Sequence, residues 1–483
     1  MKGDGDFGSC GFGSGLSKTG SGERLGGELW PPYGKSLCGL LGGYIALGVF
    51  VTSQPCSGQW VFKMNRDTLA ITAGLLIDGT GRQALKDPVL LVEGEQIFKV
   101  GQKGDVAVPG DAKVIDGSGL TLLPGLVDAH IHLTGNRPRD ITAQFDEVLG
   151  TVRAVADAQL LLDHGVTAAR CCGSYFTPSI KLAVEQGTIP GPRFMAARAA
   201  VSQTCGHADT HHLPLDWVRE HGTRIGVLAD GVEECIRAVR EQFRGRADLI
   251  KLMLSGGTGS QLDELEYPQF STDEIRAMVK EAHLNGRRVA AHAHGLAGIR
   301  NAVNEGIDSI EHGSAIDEES ARRVASEGKF IVPTCYIPLR TFERTKGFKE
   351  VGEMAEWTFR RQRTNYEFNR IRVSMCRKLG CKQAVGTDWN GSSPYELAKE
   401  VWAMSELGGY SAVEAVSCCT KIGAETLGLE GRIGTLEAGK LADLVLFEGD
   451  PLQDLRRLGE RERIRVVMKG GRVVINRGVK LST

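Results

Sequence analysis

The sequence predicts an α/β protein: a (β/α)8 TIM barrel inserted into a small β-sandwich that both ends of the chain build. Three observations carry this. From Leu126 onward, short apolar runs alternate with amphipathic helical segments, the rhythm of parallel strands and crossover helices. Before that point, and again from Gly434, the pattern is purely β, with turn residues between short apolar runs. The length, 483 residues, exceeds one core of ordinary size and suits a barrel plus a smaller domain.

In chain order, residues 1–65 stand apart as a disordered or targeting leader. Residues 3–27 are rich in Gly and Ser and carry little hydrophobic pattern, the composition of a disordered segment. Residues 36–51 are apolar and uncharged behind Lys35. They fit the apolar region of a signal peptide, a short membrane anchor, or a leader created by the assigned start if the working chain begins near Met64. The stretch begins well inside the chain, is short for a span and is rich in glycine. A cytoplasmic enzyme is therefore expected, with export the alternative if residues 36–53 act as a signal segment.

Residues 66–123 form the first part of the sandwich. The runs 69–77, 89–92 and 96–100 read as strands, the last two joined at Glu93-Gly94-Glu95 as a hairpin; 114–116 and 120–123 continue the sheet. Residues 124–427 form the barrel, with strands at 126–133, 166–172, 193–201, 249–254, 288–294, 309–312, 330–336 and 383–388. Between them lie amphipathic helices such as 273–284, capped by Ser271 or Thr272, and 296–305. The long gap 203–248 is expected to lie over the barrel mouth. The segment 339–380 reads as two helices rich in Arg and Glu. Residues 428–483 complete the sandwich with strands at 444–447, 464–468 and 473–475.

Active sites of such barrels sit at the carboxyl ends of the strands. There this chain carries His130 and His132, Lys251, His292 and His294, His312 and Asp388. His130 and His132 share one face of their strand, because side chains alternate. Five of eleven histidines on three strands are better explained by one metal centre, or two close together, than by five separate core sites. Lys251 stands in Leu249-Ile250-Lys251-Leu252-Met253, where an unpaired ammonium is costly. It is either a lysine reaching the barrel rim or one that has reacted with CO2 to give an anionic carbamate. Asp388 suits a metal ligand that also accepts a proton from metal-bound water, whose pKa is about 7.

The chain resembles the amidohydrolase superfamily over residues 68–480. It most resembles the branch that holds imidazolonepropionase-like proteins, binuclear Xaa-Pro dipeptidases and fungal ochratoxinase. The motifs are Pro-Gly-Leu-Val-Asp-Ala-His-Ile-His at 124–132, Ile-Lys-Leu-Met-Leu-Ser-Gly-Gly at 250–257, Ala-His-Ala-His-Gly at 291–295, Ser-Ile-Glu-His-Gly at 309–313 and Gly-Thr-Asp at 386–388. Gly434-Thr435 and Glu437-Ala-Gly-Lys-Leu-Ala-Asp-Leu444 match the superfamily's final β segment.

The resemblance implies two divalent metal ions, read as zinc. His130, His132 and Asp388 would bind one, His292 and His312 the other. Lys251, carboxylated by CO2, would bridge both, as would a hydroxide. Asp388 would take the proton from that hydroxide and pass it to the leaving amine. His294 would face the substrate or support the ligands. His207, in Gln203-Thr204-Cys205-Gly206-His207, resembles the family's Gly-His loop and would contact the substrate carbonyl or developing oxyanion. His211 and His212 read as surface residues, and Asp128, deeper in the barrel, as structural. The loop 258–267 departs from the Pro- and Asp-rich loop of close dipeptidase relatives, leaving the substrate open within its class.

The implied activity is cleavage of an amide bond in a dipeptide or N-acyl amino acid with a free carboxylate, of Xaa-Pro or ochratoxin type. The alternatives are a cyclic amide, or a carbamate or ester. Lys251 argues against the mononuclear cyclic-amide site. A catalytically inactive scaffold is the alternative of a different class; the filled ligand positions argue against it. Net charge is -1, which gives no basis for a nucleic-acid partner or an anionic membrane surface. A small-molecule substrate is expected, no stable membrane partner, and, by resemblance, a homo-oligomer. The twelve cysteines show no Cys-x-x-Cys spacing and read as buried reduced thiols.

Overall fold

The structure, a computed structural model, describes residues 68–138, 140, 146–223, 225–351 and 354–482. The leader expected over 1–65, with its apolar stretch, lies outside them. Among the described residues no helix is long and apolar enough to cross a membrane.

The architecture is a TIM-barrel-like domain with a β-sandwich drawn from both chain ends. Sandwich strands run in the order Arg472–Asn476, Ile464–Lys469, Leu444–Glu448, Lys113–Pro124, Thr68–Leu76, Pro88–Glu93, Gln96–Gln102. The central strand Lys113–Pro124 merges the two runs expected at 114–116 and 120–123. It pairs parallel with Thr68–Leu76, Ile71 opposite Ile115, through a register shift between Ala73 and Leu75. On its other edge it runs antiparallel to Leu444–Glu448, Leu123 opposite Val445. Thr121 Oγ1 donates to Gly449 O at 2.6 Å across 328 positions of sequence. The alternating side chains feed two cores. Ile71, Leu90, Ile115 and Leu446 pack within the sandwich. Val445, Phe447 and Ile464 pack against Ala154 and Leu161 of the barrel helix Glu147–Asp163.

The parallel strands form two ladders rather than one closed sheet. Leu126–Ile131, Val166–Cys171 and Arg193–Ala196 make the first; Gly226–Leu228, Ala200–Ser202, Leu249–Met253, Arg288–Ala293, Ser309–His312, Phe330–Val332 and Lys382–Gln383 make the second. The run expected as one strand over 193–201 breaks at Arg198, whose φ of 60° no extended strand accommodates. Its first half pairs with Val166–Cys171 and its second with Leu249–Met253, through Val201 and Leu252. The strand expected over 383–388 is confined to Lys382–Gln383. Beyond it the chain leans on the first strand: Ala129 N donates to Val385 O at 2.9 Å, Asp388 N to His130 O at 2.7 Å, and His132 N to Trp389 O at 2.8 Å. Those bonds carry Asp388 to the end of the strand that holds His130.

The expected helices are present. Thr272–Leu284 starts in a capping box, Ser271 with Glu274, which satisfies two otherwise free N–H groups. The long gap holds helices Leu215–His221 and Val232–Arg244 around the strand Gly226–Leu228, and the Arg- and Glu-rich segment holds Tyr336–Arg344 and Glu356–Lys378. The described cysteines are free thiols, all buried except Cys205.

Candidate metal centre

Strand alternation brings His130 and His132 together with their Nε2 atoms 3.3 Å apart. Asp388 Oδ1 lies 3.4 Å from His130 Nε2 and 3.2 Å from His132 Nε2. The Nδ1–H of His130 donates to Glu311 Oε2 at 2.7 Å and that of His132 to Gly173 O at 3.0 Å. With Nδ1 protonated and engaged, each ring turns the lone pair of Nε2 to a common point, the usual support of a metal-ligating imidazole.

The donor atoms of His292, His294 and His312 form a second group, all within 4.8 Å of one another. His312 Nδ1 donates to Thr334 Oγ1 and His294 Nδ1 to Ser314 Oγ, both at 2.7 Å. His292 engages the other nitrogen: its Nε2 donates to Gly256 O at 3.1 Å, which leaves Nδ1 as the free donor. The two groups adjoin, with the His130 and His312 ring centroids 5.3 Å apart. Lys251 is 1% exposed and paired in register near His292, Met253 being opposite that histidine. Its charge acts on His130, His292, His312 and Asp388.

Burial holds His130 down to about 4 and His294 down to about 3, and it holds His292 and His312 well below the ordinary imidazole value. All four are neutral at pH 7, the state that ligates a metal. Burial pushes the Asp388 carboxyl up, but the neighbouring His130 and His132 rings, His132 by a hydrogen bond, and the charge of Lys251 outweigh it and hold the group below the usual carboxylate range. Neutral imidazoles and an ionised carboxylate, each with an uncommitted donor atom, fit a pair of divalent cations. The backbone is strained at the same place: φ is 68° at His312 and 53° at Asp388, a region that residues other than glycine seldom adopt. Cys172 also stands near His130 and Glu311. Burial pushes its thiol up to about 12, so it stays protonated and is a poor ligand.

Two supporting groups escaped the sequence reading. Glu311, fully buried, accepts from Arg170 Nη2 at 2.6 Å and from Ser309 Oγ at 2.7 Å as well as from His130. Burial pushes its carboxyl up; Arg170 and His130 more than offset that and hold it low. The available signal was a pair of opposite charges, Arg170 and Glu311, inside two apolar strands. Glu311→Gln is expected to weaken zinc retention about 10–100-fold, read by competition with a chelator. The second is Asp263, whose Oδ2 accepts from His207 Nδ1 at 3.0 Å.

His207 itself lies at the centre, its ring stacked on His292 with centroids 4.2 Å apart. Asp128 has the structural place expected of it. It accepts from His130 N at 3.1 Å, Thr387 Oγ1 at 2.7 Å and Tyr395 OH at 2.9 Å, tying the first strand to the loop that carries Asp388. Above lies a cavity of about 1060 Å³, lined among others by His132, Tyr175, His207, Trp217, Trp357 and Asp388. Of the gap 203–248, expected over the mouth, residues between His207 and Ile225 line this cavity, whereas Gly226–Leu228 extends the strand ladder and Val232–Arg244 packs on the barrel core. His212 is exposed, as expected of a surface residue, and His211 is half-buried; both border this cavity.

Ochratoxinase of Aspergillus niger is 33% identical over 432 residues, covering 85% of this chain and 87% of that protein. Its crystal structure matches with a TM-score of 0.78 at 29% identity, covering 86% of this chain and 97% of the other. The crystal structure of a Xaa-Pro dipeptidase with bound methionine in the active site matches with a TM-score of 0.75 at 30% identity, covering 84% and 99%. Imidazolonepropionase of Alkaliphilus metalliredigens is 24% identical over 429 residues, covering 82% and 92%. Barrel, donor set and relatives together define a hydrolase acting on carbon–nitrogen bonds. The chain belongs to the amidohydrolase family, which matches residues 121–474.

Proposed function

We propose that the chain hydrolyses the amide bond of a dipeptide or N-acyl amino acid that carries a free carboxylate, of the Xaa-Pro or ochratoxin type. The observation that carries this reading is the convergence of His130, His132 and Asp388 with His292 and His312, beside a cavity large enough for such a molecule that His132 and Asp388 line. The relatives support it, one being an ochratoxinase and another a Xaa-Pro dipeptidase with an amino acid in its active site.

In this reading His130, His132 and Asp388 hold one divalent ion and His292 and His312 the other. Lys251, as a carbamate formed when its neutral amine adds to CO2 and releases a proton, would supply an anionic ligand to them. What supports the carbamate is the burial of Lys251 with no carboxylate in ion-pair distance among the described residues, a costly state for an ammonium. Two zinc ions there supply Lewis acidity toward the scissile carbonyl and lower the pKa of water. Asp388, ionised beside the histidines, accepts a proton from the attacking water and delivers it to the leaving amine. His207, its Nδ1 fixed by Asp263 and Ser260 at 3.0 and 2.9 Å, presents its other edge to the substrate oxygen, and His294 lines the same space.

A panel of N-acyl amino acids and Xaa-Pro dipeptides, each as free acid and as C-terminal amide, tests this in the presence of zinc and bicarbonate. Hydrolysis of at least one acid, about tenfold or more faster than its amide, is expected, since leaving a buried polar site unpaired costs at least that. Equal rates on the amides would remove the carboxylate requirement, and turnover of cyclic amides alone would overturn the reading.

A further inference from the structure

The helix Glu356–Lys378 turns a polar face toward the barrel. Arg361, Gln362, Asn365, Asn369 and Arg372 lie on it, all buried. Arg361 is spent on structure: its Nη1 donates to Gly257 O at 3.0 Å and also binds Ser260 O. Arg372 donates from Nε to Asn369 Oδ1 at 2.7 Å and from Nη2 to Pro333 O at 2.8 Å. Its Nη1 binds His312 O, and Nη2 also binds Asn369 Oδ1. These acceptors are all neutral, and among the described residues no carboxylate lies within ion-pair distance of Arg372. Glu400, which acts on it from further off, is committed to Cys335 N and Tyr336 N at 2.5 and 2.6 Å. A guanidinium has five N–H donors; four are used, and one on Nη1 is left.

Beside this charge are two buried amides without partners. Gln362 Oε1 and Asn365 Oδ1 make no hydrogen bond, although the residues are only 7% and 5% exposed. Gln362, Asn365, Asn369 and Arg372 line a small cavity of about 40 Å³. Its far wall is His207, His292, His294, His312 and Asp388, which is the metal centre itself. At roughly 10–15 Å³ for each water-sized occupant, the space admits a group of about three heavy atoms. A buried positive charge without a counter-charge is expensive, and an anion seated in this cavity relieves it while accepting from the side-chain NH2 groups that border the space.

We propose that Gln362, Asn365 and Arg372 form the subsite for the substrate's free carboxylate. The anion supplies the missing counter-charge and accepts the spare Nη1 hydrogen. Each amide that borders the space donates its NH2 to the same group. The amine half of the substrate then sits on the His294 and His312 side, and the acyl half extends into the large cavity between Tyr175 and Trp357. This rests on the reading that the substrate is an amide with a free carboxylate.

The test uses the full-length, metal-loaded protein with Asn365→Leu, Gln362→Leu and Asn365→Asp. Two quantities are read: the ratio of kcat/KM for a free acid to that for its C-terminal amide, and the calorimetric affinity for L-proline and L-phenylalanine. Both leucine variants are expected to raise KM for the acid, bring the ratio at least tenfold closer to one and weaken amino-acid binding at least tenfold. Asn365→Asp keeps the shape and places a carboxylate beside Arg372. It is expected to weaken binding further while raising Tm, a combination that loss of packing does not produce. Wild-type ratio and affinity in all three variants would overturn the subsite and leave the amidase reading standing. Amino-acid binding that depends on Asn365, in a protein that cleaves none of the amides, would overturn the amidase reading and leave the subsite standing.

Discussion

Lys251→Ala is expected to give a folded protein that retains less than one zinc per chain and turns over substrate about a thousandfold or more slowly. The side chain is among the largest fully buried ones, and it stands where its charge reaches donors of both histidine groups. Removing a buried side chain ordinarily costs about 2–5 kcal/mol. Here the loss of a buried ammonium offsets part of that, so the fold survives. Metal analysis after dialysis in zinc and bicarbonate, together with kcat/KM, gives the result. Added acetate or propionate should recover part of both, because a short carboxylate fits the vacated space and offers the two oxygens of the carbamate. Turnover close to wild type in Lys251→Ala would refute the bridging role.

Asp388→Asn is the second large effect. Asparagine tolerates positive φ better than most residues, so the backbone at 53° keeps its course and Asp388 N still reaches His130 O. What is lost is the negative charge beside His130 and His132 and, in the proposed mechanism, the proton acceptor. The expected fall in kcat/KM is about 10³-fold or more, with Tm little changed and one zinc held more weakly. Asp388→Ala has the same chemical defect plus a backbone cost of about 1–2 kcal/mol, visible as a lower Tm. An asparagine variant within tenfold of wild type would show that the proton passes through another group.

The features legible in the sequence were those that local rules encode. His130 and His132 were readable because strand alternation is rigid, and the Thr272–Leu284 helix because its cap and its apolar spacing agree. The break at Arg198 was not readable: each half of that run pairs with a different strand, a choice made by tertiary contacts. The last barrel strand is shorter than its apolar run suggests because the ladder ends with Ala384 N bonded to Ile331 O, and from Val385, whose O accepts from Ala129 N, the chain leans on the first strand. Glu311 stands in a motif that by itself assigns it no role, since its worth depends on Arg170 from another strand. The polar face of Glu356–Lys378 looks in sequence like a solvated surface. Only packing reveals that Gln362, Asn365 and Arg372 face inward.

The central sandwich strand also bears on how the chain is made. Lys113–Pro124 joins an early strand on one edge and Leu444–Glu448 on the other, so the sheet closes only after the barrel between them has been translated. Such pairings raise contact order, and loop closure over this distance is slow. During synthesis the exposed edge of Lys113–Pro124 waits while the whole barrel is translated, and an unpaired edge of that kind invites association with other chains. The strands from Leu444 to Ser482 therefore act as the closing clasp of the sheet. Their loss costs solubility and yield before it touches any residue of the metal centre.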